Sequence, residues 1–138
     1  MKYILDASVA LKWVLKEPGS DRARRLRDEF RNRAHEFLAP ESFLPEVGHA
    51  LTRAERKGLI QPPMASAFFA DILSTAPEIH SLIPLMPKAV DLSSASRLGV
   101  YDCLYVIMAE REGCELLTAD ERLVTVFKGH PVVSLDSL

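Results

Sequence analysis

Gly99-Val100-Tyr101-Asp102-Cys103-Leu104-Tyr105-Val106-Ile107-Met108-Ala109-Glu110-Arg111-Glu112-Gly113-Cys114-Glu115-Leu116-Leu117-Thr118-Ala119-Asp120-Glu121-Arg122-Leu123 decides the fold. Cys103 to Ala109 is apolar without a break, so a helix built on it is buried nearly all round. Glu110 to Glu112 form a polar last turn, and Gly113 stops it. Glu115 to Thr118 is short enough for a buried strand. One helix therefore opens with a carboxylate, Asp102, and the strand after it ends beside another, Asp120.

Strands alternate with helices outward from this stretch. Lys2 to Leu5 is a short, nearly all-apolar run ending at Asp6, as expected of a central parallel strand covered on both faces. Val9 to Leu15 forms a short helix for which Ser8 is the natural N-cap, and Glu17-Pro18-Gly19-Ser20 ends it. Asp21 to about Arg33 forms the next helix. Ala23, Leu26 and Phe30 are its apolar stripe, and Arg24, Arg25, Arg27 and Arg31 face out. His35 to Ala39 is a second strand.

Glu41 to Lys57 is the clearest amphipathic helix, with Leu44, Val47, Leu51 and Ala54 at helical spacing. Pro45 fits only its first turn, so the regular part is expected to begin near Glu46. Met64 to about Ser74 carries adjacent Phe68 and Phe69. Neighbours on a helix point about 100° apart, which leaves one ring for a partner surface. Glu78 to Ile83 is a candidate strand, about Pro87 to Leu98 a helix, Glu121 to Phe127 a short helix, and Val132 to Leu135 an edge strand. The pattern predicts a three-layer α/β/α sandwich around a mainly parallel sheet, with residues 1–138 forming a single domain.

Composition narrows the function. The 138 residues are 48% hydrophobic and 26% charged, as in an ordinary globular chain. Seventeen basic and nineteen acidic residues give a net charge of −2, so nucleic acid is not drawn in by bulk charge and needs a local patch or a metal. Cys103 and Cys114 lack zinc-type spacing and read as reduced thiols. Asp6 comes too early for a signal peptide, and no run nears the roughly 20 apolar residues of a membrane span. The expected compartment is the cytoplasm. There is no GxGxxG, P-loop or GxSxG pattern, and His35, His49, His80 and His130 show no ligand pairing.

The acids remain. In open α/β sheets ligands bind at the carboxyl ends of the strands, where Asp6 and Asp120 fall. Each acid has a plainer role open to it: Asp6 as a turn residue, Asp120 as a helix cap, Asp102 as a complement to the helix dipole, Glu46 as a solvated side chain. Together they make a stronger case. Carboxylates in one cleft repel each other, and a hard divalent cation with oxygen ligands removes that penalty. Ser8 and Thr118, each two residues from an acid, are placed to support the carboxylates through hydrogen bonds. Lys12 and Arg122 are the candidate contacts to a phosphate backbone.

Leu5-Asp6-Ala7-Ser8, the mid-helix Glu46, Val100-Tyr101-Asp102-Cys103-Leu104-Tyr105 and Leu117-Thr118-Ala119-Asp120-Glu121-Arg122-Leu123 resemble the four acidic motifs of PIN-domain ribonucleases, above all the VapC-type toxins of bacterial and archaeal toxin–antitoxin pairs. The resemblance spans essentially the whole chain. It implies an endoribonuclease dependent on Mg²⁺ or Mn²⁺, in which an activated water attacks the phosphodiester in line and leaves a 5′-phosphate and a 3′-hydroxyl. Asp6, Glu46, Asp102 and Asp120 carry over as the acidic cluster, Ser8 and Thr118 as its supports. The resemblance also implies a homodimer and a cognate antitoxin whose C-terminal segment lies in the acidic groove. Two alternatives are weaker. A haloacid dehalogenase-type phosphatase needs a second Asp where Ala7-Ser8 stands, and a receiver domain needs an acidic pair after its first strand. A catalytically silent PIN fold would be marked by lost acids, and none is lost.

Overall fold

The computed structural model describes residues 1–138. In chain order the elements are β1 (Lys2–Leu5), α1 (Ala7–Val14), α2 (Ser20–Arg31), β2 (Glu36–Pro40), α3 (Phe43–Arg56), α4 (Met64–Leu73), β3 (Glu78–His80), α5 (Met86–Ser96), α6 (Val100–Glu112), β4 (Glu115–Thr118), α7 (Glu121–Val126) and β5 (Val132–Ser134). The five strands form one sheet in the order β3-β2-β1-β4-β5, and every pairing is parallel. β1 is the central strand, with Ile4 opposite both Leu38 and Leu116.

Two faces of the sheet are covered. Successive residues Tyr3, Ile4 and Leu5 are all buried, as are Leu116, Leu117 and Thr118. In a strand, successive side chains point to opposite faces, so unbroken burial requires helices on both sides. α6 packs on β1, β2 and β4, with α5 against it. Its seven residues from Cys103 to Ala109 are all buried, which explains their uninterrupted apolarity.

The strand order sets the position of the site. The chain steps from β1 through β2 to β3 at one edge, then crosses back past β1 to β4 and β5. The order reverses between β1 and β4, and at such a reversal loops from adjacent strands diverge and leave a crevice above the strands' carboxyl ends. α1, α3 and α7 each begin just past the end of a strand on that side.

Several expectations are revised. α3 begins at Phe43, three residues before Glu46, with Pro45 inside its first turn. A proline is tolerated there because first-turn amides have no intrahelical acceptor. The expected strand from Glu78 to Ile83 ends at His80 and gives way to a 3₁₀ turn at Ile83–Leu85, where Pro84 cannot donate to a ladder. Phe68 and Phe69 are both half-buried against the core, so neither ring is left free.

Arg27 does not face out. It is buried, with its guanidinium 4.7 Å from the centre of the Trp13 ring. Its Nε donates to Thr75 Oγ1 (2.7 Å), and its Nη2 donates to the Asp71 carbonyl (2.6 Å) and to Asp71 Oδ1 (2.9 Å). A buried charge needs such partners, and Asp71 in α4 and Thr75 just after it lie beyond the reach of α2's own periodicity.

Candidate active site

Four acids converge on the crevice, each at the start of a helix. Asp6 is the N-cap residue of α1 and Asp120 that of α7, while Glu46 and Asp102 lie in the first turns of α3 and α6. Helix starts favour negative charge, which offsets part of the mutual repulsion.

Asp6 is the most constrained. Its Oδ2 accepts hydrogen bonds from Ser8 Oγ (2.6 Å) and Thr118 Oγ1 (2.7 Å). The same hydroxyls accept from the backbone, Ser8 Oγ from Ala119 N and Thr118 Oγ1 from Asp120 N, both at 3.0 Å. Asp6 N in turn donates to the Leu117 carbonyl at 3.0 Å. The ends of β1 and β4 are thereby laced together, and both hydroxyls take Oδ2, which leaves Oδ1 without a protein donor. Ser8 is not the helix cap expected of it: Asp6 holds the cap position, makes no capping bond with its side chain, and receives the Ser8 hydroxyl instead. The helix starts at Ala7, so Ser8 lies inside the first turn, and its hydroxyl donates to Asp6 while accepting from Ala119 N.

Thr118 is fully buried and bonded on both sides. Thr118→Val keeps its shape but strands Asp120 N and takes from Asp6 Oδ2 one of its two donors. We expect a loss of about 1–3 kcal/mol of stability, with Thr118→Ser recovering most of it. Urea unfolding of the three chains checks this, and equal midpoints for valine and threonine would show the hydroxyl to be dispensable.

The acids sense one another. Burial raises the Asp6 carboxyl above its ordinary value, and the charges of Asp102 and Asp120 push in the same direction against the two hydroxyls. Burial also raises Glu46, to about 7, helped by the charge of Asp6. Asp102 is raised by burial and held back by Arg122. Glu46 Oε2 accepts from Tyr105 Oη at 3.3 Å. Glu46 Oε1 is buried beside the hydroxyl of Ser42, the N-cap residue of α3, whose hydrogen bond favours the charged carboxylate. Tyr105 had no role assigned from the sequence. Its signal was a hydroxyl inside an otherwise apolar run, one turn after Asp102.

Arg122 and Lys12, the candidate phosphate contacts, both have partners within the chain. Arg122 Nη2 lies 3.0 Å from Asp102 Oδ2 and 3.2 Å from Asp120 Oδ2, so its guanidinium is spent on the acids. The Asp120 carboxylate also caps α7, accepting from Arg122 N at 2.9 Å, so its capping and cluster roles coexist. Lys12 Nζ donates to the Pro18 carbonyl at 2.8 Å and stands 3.8 Å from Glu17. It is tied to the α1–α2 loop, though it lines, with Ser8, Arg53 and Asp120, a groove of about 500 Å³ beside the acids.

Known proteins share this arrangement of chain. A profile of the PIN domain matches residues 3–128. Ribonuclease VapC3 of Pyrobaculum aerophilum is 30% identical over 129 residues, covering 92% of this chain and 95% of its own length. The chain belongs to the PIN-domain family, among its VapC-type members. Ribonuclease VapC12 of Mycobacterium tuberculosis is 36% identical over 121 residues, 87% of this chain and 88% of its own. Among solved structures, PAE2754 from Pyrobaculum aerophilum superposes with a TM-score of 0.75 at 22% identity, over 99% of this chain and 85% of its own. A chain of VapBC2 from Rickettsia felis, bound to a DNA fragment from their promoter, gives 0.66 at 16% identity over 97% and 98%. At such identities the structural likeness speaks for the fold, an α/β sandwich on a parallel sheet. The matched PIN span contains all four acids, Ser8, Thr118, Lys12 and Arg122. No helix is long and apolar enough to cross a membrane.

Proposed function

We propose that this PIN chain is a divalent-metal-dependent endoribonuclease, acting as one unit over residues 1–138 and as the toxin half of a toxin–antitoxin pair. The observation that carries the reading is the meeting of Asp6, Glu46, Asp102 and Asp120 at the β1–β4 crevice, where burial and one another's charge raise Asp6, Glu46 and Asp102. Carboxylates crowded in this way are costly unless a cation balances them.

The donor set suits Mg²⁺ or Mn²⁺, since it is all oxygen and all anionic. As the side chains stand, no three His, Cys, Asp or Glu groups form a ready-made cage. Mg²⁺ keeps several waters and needs only one or two carboxylates directly. Asp6 and Asp102, with Glu46 and Asp120 around them, are the residues that would hold it. The bound ion supplies an activated water and neutralises charge on the phosphodiester. Ser8 and Thr118 hold Asp6 in one orientation, Tyr105 does the same for Glu46, and Lys12 in the groove and Arg122 on the acids are the cations that would meet an RNA backbone.

The named relatives are ribonucleases of the VapC type, which supports RNA as the substrate. The likeness to a chain of the VapBC2 assembly supports an antitoxin partner, whose inhibitory segment is expected to be basic because the crevice is acidic. Exposed Met64 and Leu73 on α4 and Val90 on α5 support a homodimer built on these helices.

Incubating the purified chain with total cellular RNA tests the activity. New 5′-phosphate ends are expected with Mg²⁺ or Mn²⁺ and none with a chelator present. Cuts of equal yield in the chelator would sink the metal-dependent reading, and no cuts under any condition would leave a binding module.

A further inference from the structure

We propose that Arg122 is an internal competitor for the divalent ion, and that its displacement delivers a guanidinium to the RNA phosphate. The inference rests on the metal-dependent reading above. A single nitrogen, Nη2, bridges Asp102 Oδ2 and Asp120 Oδ2 at 3.0 and 3.2 Å. The Nε and Nη1 groups make no bond to the acids, and the side chain is 57% exposed, so the contact is one-sided and open to water. Exposed pairs of this kind are weak and exchange readily.

A divalent ion brought to Asp102 and Asp120 meets the like charge of the guanidinium already seated on them. A divalent ion carries twice the charge of the guanidinium and approaches carboxylate oxygens more closely, so it wins the contest at sufficient concentration. Arg122 remains anchored when displaced, because its backbone N–H is held by Asp120 Oδ1 at 2.9 Å at the start of α7. The freed guanidinium stays beside the acids with all its donors unspent, and its planar fork matches a phosphate. One residue thus neutralises the acids before the ion arrives and meets the substrate anion afterwards. Salt links the two roles, since both contacts are ionic and exposed.

Calorimetric titration with Mg²⁺ of the intact chain, Arg122→Gln and Arg53→Gln tests the competition without reference to activity. Arg122→Gln is expected to bind the ion about tenfold more tightly. Arg53→Gln, which removes a groove cation that does not touch the acids, is expected to change affinity by less than about twofold. The Arg122 Nε–Hε resonance of the intact chain is expected to shift across the same Mg²⁺ range. With saturating Mg²⁺, Arg122→Gln is expected to raise KM for RNA several-fold, which separates delivery to phosphate from simple repulsion of the metal. Equal Mg²⁺ affinity in the intact chain and Arg122→Gln, or an unmoved Arg122 signal at saturation, overturns the competition while leaving the metal site standing. An unchanged KM overturns the delivery. Failure of the intact chain to bind Mg²⁺ at all overturns both this inference and the reading beneath it.

Discussion

Asp6→Asn is expected to lower RNA cleavage at least about a thousandfold while leaving the chain folded. The asparagine has the same shape but no charge. Ser8 Oγ and Thr118 Oγ1 both donate to Oδ2, so the amide oxygen must take that place and the NH₂ must take the other. The group then offered to the cleft is a donor where a cation needs an acceptor. A thousandfold loss corresponds to about 4 kcal/mol of transition-state stabilisation, within what a metal centre supplies. Folding should not suffer, because burial already disfavours the Asp6 charge. Mapping of 5′ ends alongside a thermal melt separates the two effects. Cuts at the same positions and of similar yield in the variant would remove Asp6 from the mechanism.

Sequence patterns exposed Asp102 and Asp6 because each breaks a local expectation, whereas Glu46 and Asp120 stood out only in their company. Asp102 precedes seven consecutive apolar residues, and Asp6 ends a strand that periodicity marks as central. Both features survive into the structure, where α6 is buried all round and β1 lies mid-sheet. The all-parallel order follows from the same alternation of short apolar runs with helices. What periodicity could not show are bonds between elements distant in the chain. Arg27 looks solvated on its own helix, yet it is buried by Trp13, Asp71 and Thr75. Ser8 looks like a cap, yet its hydroxyl bridges Asp6 to Ala119 N at the end of β4. Arg122 looks like a surface cation until α7 brings it onto Asp102, twenty positions earlier. Each is a long-range electrostatic pairing, whereas patterning reports on burial.

Glu46→Gln is expected to stabilise the chain above neutral pH in the absence of divalent ions, and to abolish that advantage when Mg²⁺ is present. Burial and the charge of Asp6 lift the Glu46 carboxyl from 4.5 to about 7. The folded chain therefore keeps a proton that the unfolded chain has released across this window. Stability must fall as pH rises through it and stay low above it. Glutamine cannot ionise and escapes the loss. The gain for the variant is expected to be near zero below about pH 4.5 and to grow to about 1–2 kcal/mol above pH 7, allowing for the partial exposure of the group. Mg²⁺ reverses the order, because an ion that binds only the folded chain adds stability in proportion to its affinity, and the variant has lost a charged oxygen for it. Urea unfolding at several pH values, with and without Mg²⁺, checks both halves. A variant less stable than the parent at every pH would show that Glu46 contributes structure through Tyr105 rather than a strained charge. The expected crossover would mean that the chain tolerates an unstable fold at this point in exchange for a place to hold a cation.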